Sequence, residues 1–213
     1  MKYIALDIGG VLCHVNALPF VELVSETFNT TVPEAARFLK RFQQIHDLGY
    51  TTMEDELKDH FGAKSPAIIK KLVQAWNDSV VPNEYIIRQL NDMRDKHKLQ
   101  VALVSNIGVE HAEMMKTKLA EDGFFPGAIK HFSCFVGARK PSAIYYQSFL
   151  LQYPQFEGCL YVDDLQENLD ASKPFGFQTY HFTLEDPNYA KKVKEIEKLV
   201  LASPKPQKNS RWH

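Results

Sequence analysis

This chain has no marked excess of charge of either sign: 25 Lys and Arg face 26 Asp and Glu, for a formal net charge of −1 over 213 residues. Without a basic field, neither nucleic acid nor an anionic membrane is an expected partner. Long hydrophobic runs are also missing. No apolar stretch approaches the ~20 residues that cross a bilayer, and the N-terminal MKYIALD reaches an acid almost at once, so neither a membrane span nor a signal peptide is expected. Cysteine is scarce. Cys13, Cys134 and Cys159 stand far apart within apolar runs and form no CxxC pair. That pattern argues against a disulfide framework or a zinc site and suits buried thiols in a reducing cytoplasm. What is there is ordinary globular composition, 45% hydrophobic and 24% charged. It suffices for one sizeable core with an insertion or a small second domain.

Five short apolar runs bounded by turn residues read as strands: Lys2–Asp7, Gln100–Ser105, His131–Val136, Gly158–Asp163 and Phe177–Phe182. None alternates strictly, which suits strands buried on both faces. Helical patterns lie between them. Asn83–Lys98 places Ile86, Ile87, Leu90 and Met93 on one face, and Pro141–Tyr153 is expected to turn Ile144, Phe149 and Leu150 inward. Strand–helix alternation predicts an α/β fold, a parallel Rossmann-like sheet with helices on both faces.

The interval from about 17 to 81 breaks this rhythm. It shows helical segments only, at Leu18–Phe28, Pro33–Leu48, Met53–Phe61 and Pro66–Trp76, and is too long for a connecting loop. The expected division is therefore a core of residues 1–16 and 82–202 with a helical insertion at 17–81. Residues 203–213, polar and proline-punctuated, are expected to be a disordered tail. The Lys-rich run 190–198, spaced by Val193 and Ile196, reads as a solvated helix face. Phe124, Phe125, Phe132 and Phe135 read as core.

Four features fall at predicted strand ends, where an open parallel sheet places its ligands. Asp7 closes the first strand and is followed by Gly9 and Gly10, which let the backbone turn sharply and approach a ligand. Ser105 and Asn106 close VALVSN. Lys140, in Arg139-Lys140-Pro141, stands just ahead of a helix N-terminus that favours anions. Asp163 and Asp164 close CLYVDD, with Asn168 a helical turn further on. Adjacent carboxylates repel and need a cation, a proton or solvent. Singly each feature is an ordinary turn or cap; together, at successive strand ends, they would share one pocket.

The set DxGGV, SN, RKP and DDxxxN resembles the haloacid dehalogenase superfamily, most of whose members are aspartate-nucleophile phosphohydrolases. The resemblance covers Lys2 to about Phe182, and the helical insertion matches the cap that many relatives carry between the first two motifs. The DxGGV opening and the Arg139–Tyr145 segment look closest to members acting on small sugar phosphates. The resemblance implies a small phosphorylated metabolite as substrate and an aspartyl-phosphate intermediate on Asp7. It implies Mg²⁺ held by Asp7, the Gly9 carbonyl and Asp164, with Asp163 holding a bound water. Gly10, Ser105, the Asn106 amide and Lys140 would surround the transferring phosphoryl oxygens.

One position departs from the pattern. Most phosphatases of the family carry an aspartate where this chain has Gly9, and use it as general acid and base. Such groups are typically worth about 10²–10⁴-fold in rate, so slower or more selective turnover is expected. A proton from elsewhere would compensate, and His14, His46, Asp47 and Glu54 are the nearby alternatives in sequence. Trp76, Tyr50 and Phe42 either face the site or pack the insertion. Two other readings stand beside the phosphatase: a catalytically impaired phosphate-binding or regulatory protein, motivated by Gly9, and a metal-independent 2-haloacid dehalogenase. The acidic pair Asp163-Asp164 argues against the dehalogenase.

Overall fold

The computed structural model describes residues 2–203. In chain order the elements are β1 (Tyr3–Leu6), β2 (Cys13–Val15), α1 (Leu18–Phe28), α2 (Val32–His46), α3 (Met53–Phe61), α4 (Pro66–Asn77) and β3 (Val80–Pro82). Then come α5 (Glu84–His97), β4 (Gln100–Ser105), α6 (Val109–Glu121), β5 (Ile129–Phe132), α7 (Ser133–Val136) and α8 (Ala143–Gln152). The chain closes with β6 (Leu160–Asp163), α9 (Gln166–Ser172), β7 (Gln178–His181) and α10 (Tyr189–Ala202).

Five strands form one parallel sheet in the order β5-β4-β1-β6-β7. Its central strands β1, β4 and β6 are largely apolar on both faces because both are covered, whereas the edge strand β7, Gln178–His181, is only partly buried. On β1, Ile4 and Leu6 join the apolar cluster that includes Ile86, Leu90, Met115 and Ile196, from α5, α6 and α10. Ala5 points to the other face, into a cluster with Tyr145, Phe149 and Leu169 from α8 and α9. Leu6 pairs with Leu103 on one side and Val162 on the other, so Asp7, Ser105 and Asp163 emerge at nearly the same height. From β1 the chain steps outward to β4 and β5, then crosses to β6 and β7 on the other side of β1, and this reversal opens the crevice where such folds bind ligands.

The helices α1–α4 carry a core of their own, including Phe20, Val24, Phe38, Phe42, Leu57, Leu72 and Trp76. Local chemistry sets their ends. Thr31 and Glu34 form a reciprocal capping box at the start of α2, and Thr52 accepts the Asp55 N–H at the start of α3. Between this unit and the sheet runs a two-stranded antiparallel ribbon, β2 with β3, in the register His14↔Val81.

Several expectations need correction. The ribbon falls partly inside the interval read as helical only; three residues per strand are too few to show a period. The third sheet strand is Ile129–Phe132, not His131–Val136, because Ser133–Val136 turns into a short helix ending on Gly137 at φ 69°. In α8 the buried positions are Tyr145, Tyr146, Phe149 and Leu150, whereas Ile144 is 66% exposed. Of the aromatic set, Phe125 and Phe132 are core, but Phe135 is half exposed beneath the Lys116 ammonium. Ser203, placed in the tail by sequence, is buried and its hydroxyl donates to the Leu199 carbonyl at 2.9 Å. The rest of that tail lies outside the described residues. All three cysteines are free. No helix among the described residues is long and apolar enough to cross a membrane.

Candidate active site

Asp7 sits at the turn where β1 ends. Its N–H donates to the Val162 carbonyl at 2.9 Å, and its Oδ1 accepts the Ile8 N–H at 2.7 Å. The chain then folds back on itself: the Leu12 and Cys13 N–H groups both donate to the Ile8 carbonyl, and Gly10 donates to Cys13. Gly10 adopts φ +68°, and a Cβ there would lie 2.2 Å from Asp164 Oδ2. Only glycine allows this turn to lie against the acidic pair.

Among the described residues, Lys140 brings the one ammonium group that meets this cluster, and it is 2% exposed. Its Nζ lies 3.1 Å from Asp7 Oδ2, 2.7 Å from Asp163 Oδ2 and 3.0 Å from the Val104 carbonyl, which uses all three donors. Burial alone would lower its pKa, but the Asp7 and Asp163 carboxylates hold it above the ordinary lysine value. The loop that carries it is clamped by Asn106. That side chain accepts the Lys140 N–H at 2.8 Å and donates to the Lys140 carbonyl at 2.9 Å. Sequence placed the Asn106 backbone amide at the site; the work of its side chain, fixing Lys140, carries no sequence signal because the two lie 34 residues apart.

The three carboxylates differ in environment. Asp163 is fully buried and saturated: Oδ2 accepts from Lys140 and the Tyr161 hydroxyl, and Oδ1 accepts the Leu165 N–H at 2.9 Å and the Asn168 amide at 3.0 Å. Although burial opposes its charge, Lys140 and these donors hold its pKa below the usual carboxylate value. Asp7 has fewer donors. Burial pushes its pKa up to about 7, opposed by Lys140 and the Ser105 side chain and reinforced by Asp163 and Asp164. Asp164 is raised to about 6 by burial and by Asp163. One ligand atom from each of Asp7, Asp163 and Asp164 lies within 4.8 Å of the others. Fully ionised, three carboxylates against one ammonium would leave two surplus negative charges in a largely buried pocket, and part of that surplus is relieved by the raised pKa values of Asp7 and Asp164. A hard divalent cation with oxygen ligands fits that deficit in charge and donor type.

The fold thus brings Asp7, Gly10, Lys140, Asp163 and Asp164 together. Ser105 and Asn106 lie at the adjacent end of β4, and Gly9 within the turn. The alternative proton donors are engaged elsewhere. His14 lies exposed on the ribbon, 3.0 Å from the Asn83 amide. His46 pairs with Glu110, Asp47 with Arg139, and Glu54 with Lys58 on the outer face of α3. Phe42 and Trp76 pack inside the helical core, and Tyr50 is 74% exposed.

Replacing Lys140 by methionine tests the electrostatic account. It leaves Asp7 and Asp163 buried without their cation, and breaking a buried pair from one side typically costs about 3–5 kcal/mol. Denaturant unfolding without divalent metal should show a loss on that scale. A loss below about 1 kcal/mol would refute the account.

No protein-family profile matches the sequence, and no curated protein is significantly similar to it. Among solved structures, the chain takes the fold of the haloacid dehalogenase (HAD) family. A HAD family enzyme of Bacteroides thetaiotaomicron superposes with a TM-score of 0.73 at 18% identity, over 90% of this chain and 98% of that one. The wild-type form of that enzyme has been captured in complex with magnesium and inorganic phosphate. A HAD phosphatase of Thermococcus onnurineus gives 0.63 at 16% identity, over 96% and 100% of the two chains. An L-2-haloacid dehalogenase of Xanthobacter autotrophicus gives 0.56 at 12% identity, over 99% and 90%. One fold therefore serves both chemistries, and the choice between them rests on side chains.

Proposed function

We propose that the chain is a Mg²⁺-dependent phosphohydrolase acting on a small phosphomonoester, with Asp7 as nucleophile. The observation that carries this reading is the charge balance of the site: three carboxylates with ligand atoms within 4.8 Å of one another, and one buried lysine. A haloacid substrate brings one negative charge, on its carboxylate, and loses halide from carbon, a displacement that gives Asp164 nothing to do. A phosphomonoester brings two, and meets the site only if a divalent cation is there to neutralise it.

Asp7, the Gly9 carbonyl and Asp164 would hold the ion, with Asp163 orienting its water from a fully hydrogen-bonded position. When bound, the ion supplies positive charge to the transferring phosphoryl group and to the Asp7 carboxylate, lowering the latter's raised pKa. The residues do the rest. An Asp7 oxygen attacks phosphorus and the phosphorus–oxygen bond to the leaving group breaks, giving an aspartyl-phosphate. Lys140, Ser105 and the Asn106 amide would receive the charge on the phosphoryl oxygens. Water then attacks phosphorus, releasing phosphate and restoring the carboxylate. With glycine at position 9 the leaving oxygen takes its proton from solvent, which favours leaving groups that need none. The helices α1–α4 would act as a cap, admitting small metabolites and hindering folded macromolecules.

A panel of sugar phosphates, nucleotides and p-nitrophenyl phosphate, assayed with and without Mg²⁺, tests the reading. Mg²⁺-dependent phosphate release is expected. Phosphate binding without turnover would favour the impaired-binder reading that Gly9 motivates, and halide release from 2-haloacids in EDTA would favour the dehalogenase.

A further inference from the structure

The seam between the helical unit and the sheet is polar and unusually close. His46, the last residue of α2, has no exposed surface, and its Nε2 lies 2.7 Å from Glu110 Oε2 in the first turn of α6. The other oxygen of Glu110 accepts the Met53 N–H at 2.7 Å. One carboxylate therefore ties down both the end of α2 and the start of α3. The imidazole lies so close over Gly108 that a Cβ there would sit 1.7 Å from its Cε1, and a Cβ at Gly49 would sit 2.4 Å from the Cys134 carbonyl oxygen. Asp47, beside His46, meets Arg139 Nη2 at 3.0 Å. Gly108 follows Ser105 and Asn106 on the loop that leads into α6, whose first turn carries Glu110, and Arg139 precedes Lys140. The helical unit is seated on the two loops that furnish the site.

The surroundings of the His46 ring favour its charged form. Phe42 and Trp76 flank it, with ring centroids at 4.4 and 5.7 Å. His111, at 6.3 Å, is kept neutral, pushed down to about 4 by burial, and hydrogen-bonds the Trp76 carbonyl. The charged groups facing His46 are Glu110 from α6 and Asp47 from its own helix end, the latter in turn paired with Arg139 from the Lys140 loop. His46 Nδ1 makes no hydrogen bond and points toward Asp47 Oδ1 at 3.8 Å. In a neutral ring that donates Nε2–H to Glu110, Nδ1 would be a buried, unpaired acceptor facing a carboxylate, which is unfavourable. In the imidazolium, Nδ1–H is aimed at that carboxylate.

We propose that His46, Asp47 and Glu110 form a proton-held latch that keeps the helical unit seated on the Ser105 and Lys140 loops, making them positioning residues for the reaction. The catalytic consequence rests on the phosphohydrolase reading; the seating does not. Burial opposes the charge on His46, but the Asp47 and Glu110 carboxylates outweigh it and hold the ring above its ordinary pKa. A group raised in this way stabilises the seated state fully below the ordinary histidine value of about 6.5, and the benefit is lost as pH rises through the seated value.

Amide exchange at Met53 reads the latch directly, because that N–H is held by Glu110. The experiment uses the full chain, from pH 6 to 9.5, with rates corrected for base catalysis. Protection of Met53 should fall by up to about tenfold per pH unit above the transition, as release of one proton requires. Protection of Ala5, inside β1, should hold. His46→Gln keeps a donor for Glu110 without a titrating group and should flatten the Met53 profile. Glu110→Gln removes one of the two carboxylates and should move the transition to lower pH. Constant protection in the wild type would overturn the latch, as would an unchanged slope in both variants or loss of Ala5 protection in step with Met53. None of these readouts uses turnover, so failure of the phosphohydrolase reading and failure of the latch remain distinguishable.

Discussion

Asp7→Asn should abolish phosphate release, by at least ~10⁴-fold, in a protein that stays folded. An amide has no charged oxygen to attack phosphorus, and asparagine can contribute only its neutral carbonyl oxygen where the carboxylate would meet the metal. The fold should tolerate the change because the position disfavours charge: burial and the neighbouring Asp163 and Asp164 raise Asp7 to about 7, so at neutral pH without metal the wild type already holds this group partly protonated. The linkage can be worked out from that value. Asp7 is raised from about 4 to about 7 on folding, so the wild type without metal should lose stability as pH rises through that window. The amide that replaces the carboxyl group does not titrate, and the variant should lack that part of the pH dependence. Denaturant midpoints at pH 5 and 8, set beside activity with saturating Mg²⁺, check both halves. Retention of even a few per cent of activity would remove Asp7 from the role of nucleophile.

The features of this site that were legible in the sequence are those in which one residue meets a local requirement. The apolar runs ending on Asp7, Ser105 and Asp163 reveal the central strands, because a doubly covered parallel strand must be apolar on both faces. The helical segments Met53–Phe61 and Asn83–Lys98 show in apolar periodicity, and the structure adds the side-chain caps at Thr31, Thr52 and Asn83. What stayed hidden depends on partners far apart in the chain. Nothing near Asn106 announces that it clamps Lys140, and nothing near Gly108 announces that it makes room for the ring of His46. Ile144 and Tyr145 both fit the periodic pattern of α8. Only the packing of Tyr145 beneath β4 and β5, where its hydroxyl donates to the His131 carbonyl at 2.6 Å, decides which of the two is buried. The ribbon strands β2 and β3 are specified by each other rather than by their own three residues.

Gly9→Asp should raise activity on poor leaving groups by up to the ~10²–10⁴-fold typical of general acid catalysis. The two adjacent glycines make the argument by contrast. Gly10 is required by its backbone and by Asp164, so Gly10→Ala should cripple the site. Gly9 has neither constraint: it lies outside the left-handed region, and a Cβ there would meet only Val15 Cγ2, at an ordinary 3.4 Å. Val15 is 54% exposed and can shift, while His14 is turned to Asn83. A Cβ is therefore accommodated at position 9, two residues from Asp7, and the carbonyl of residue 9 is kept. Nearby Asp7 and Asp164 would disfavour its charged form, which is what a proton donor needs. The gain should depend on the substrate. An alkyl phosphate leaves as a strongly basic alkoxide and should benefit fully; p-nitrophenyl phosphate, whose phenolate departs without a proton, should change little. The measurement is the ratio of kcat/KM for the two substrates, variant against wild type, at saturating Mg²⁺. If that ratio stays at one, the missing carboxylate is not what limits turnover in the phosphohydrolase reading, and the proton reaches the leaving group by a route that does not pass through position 9.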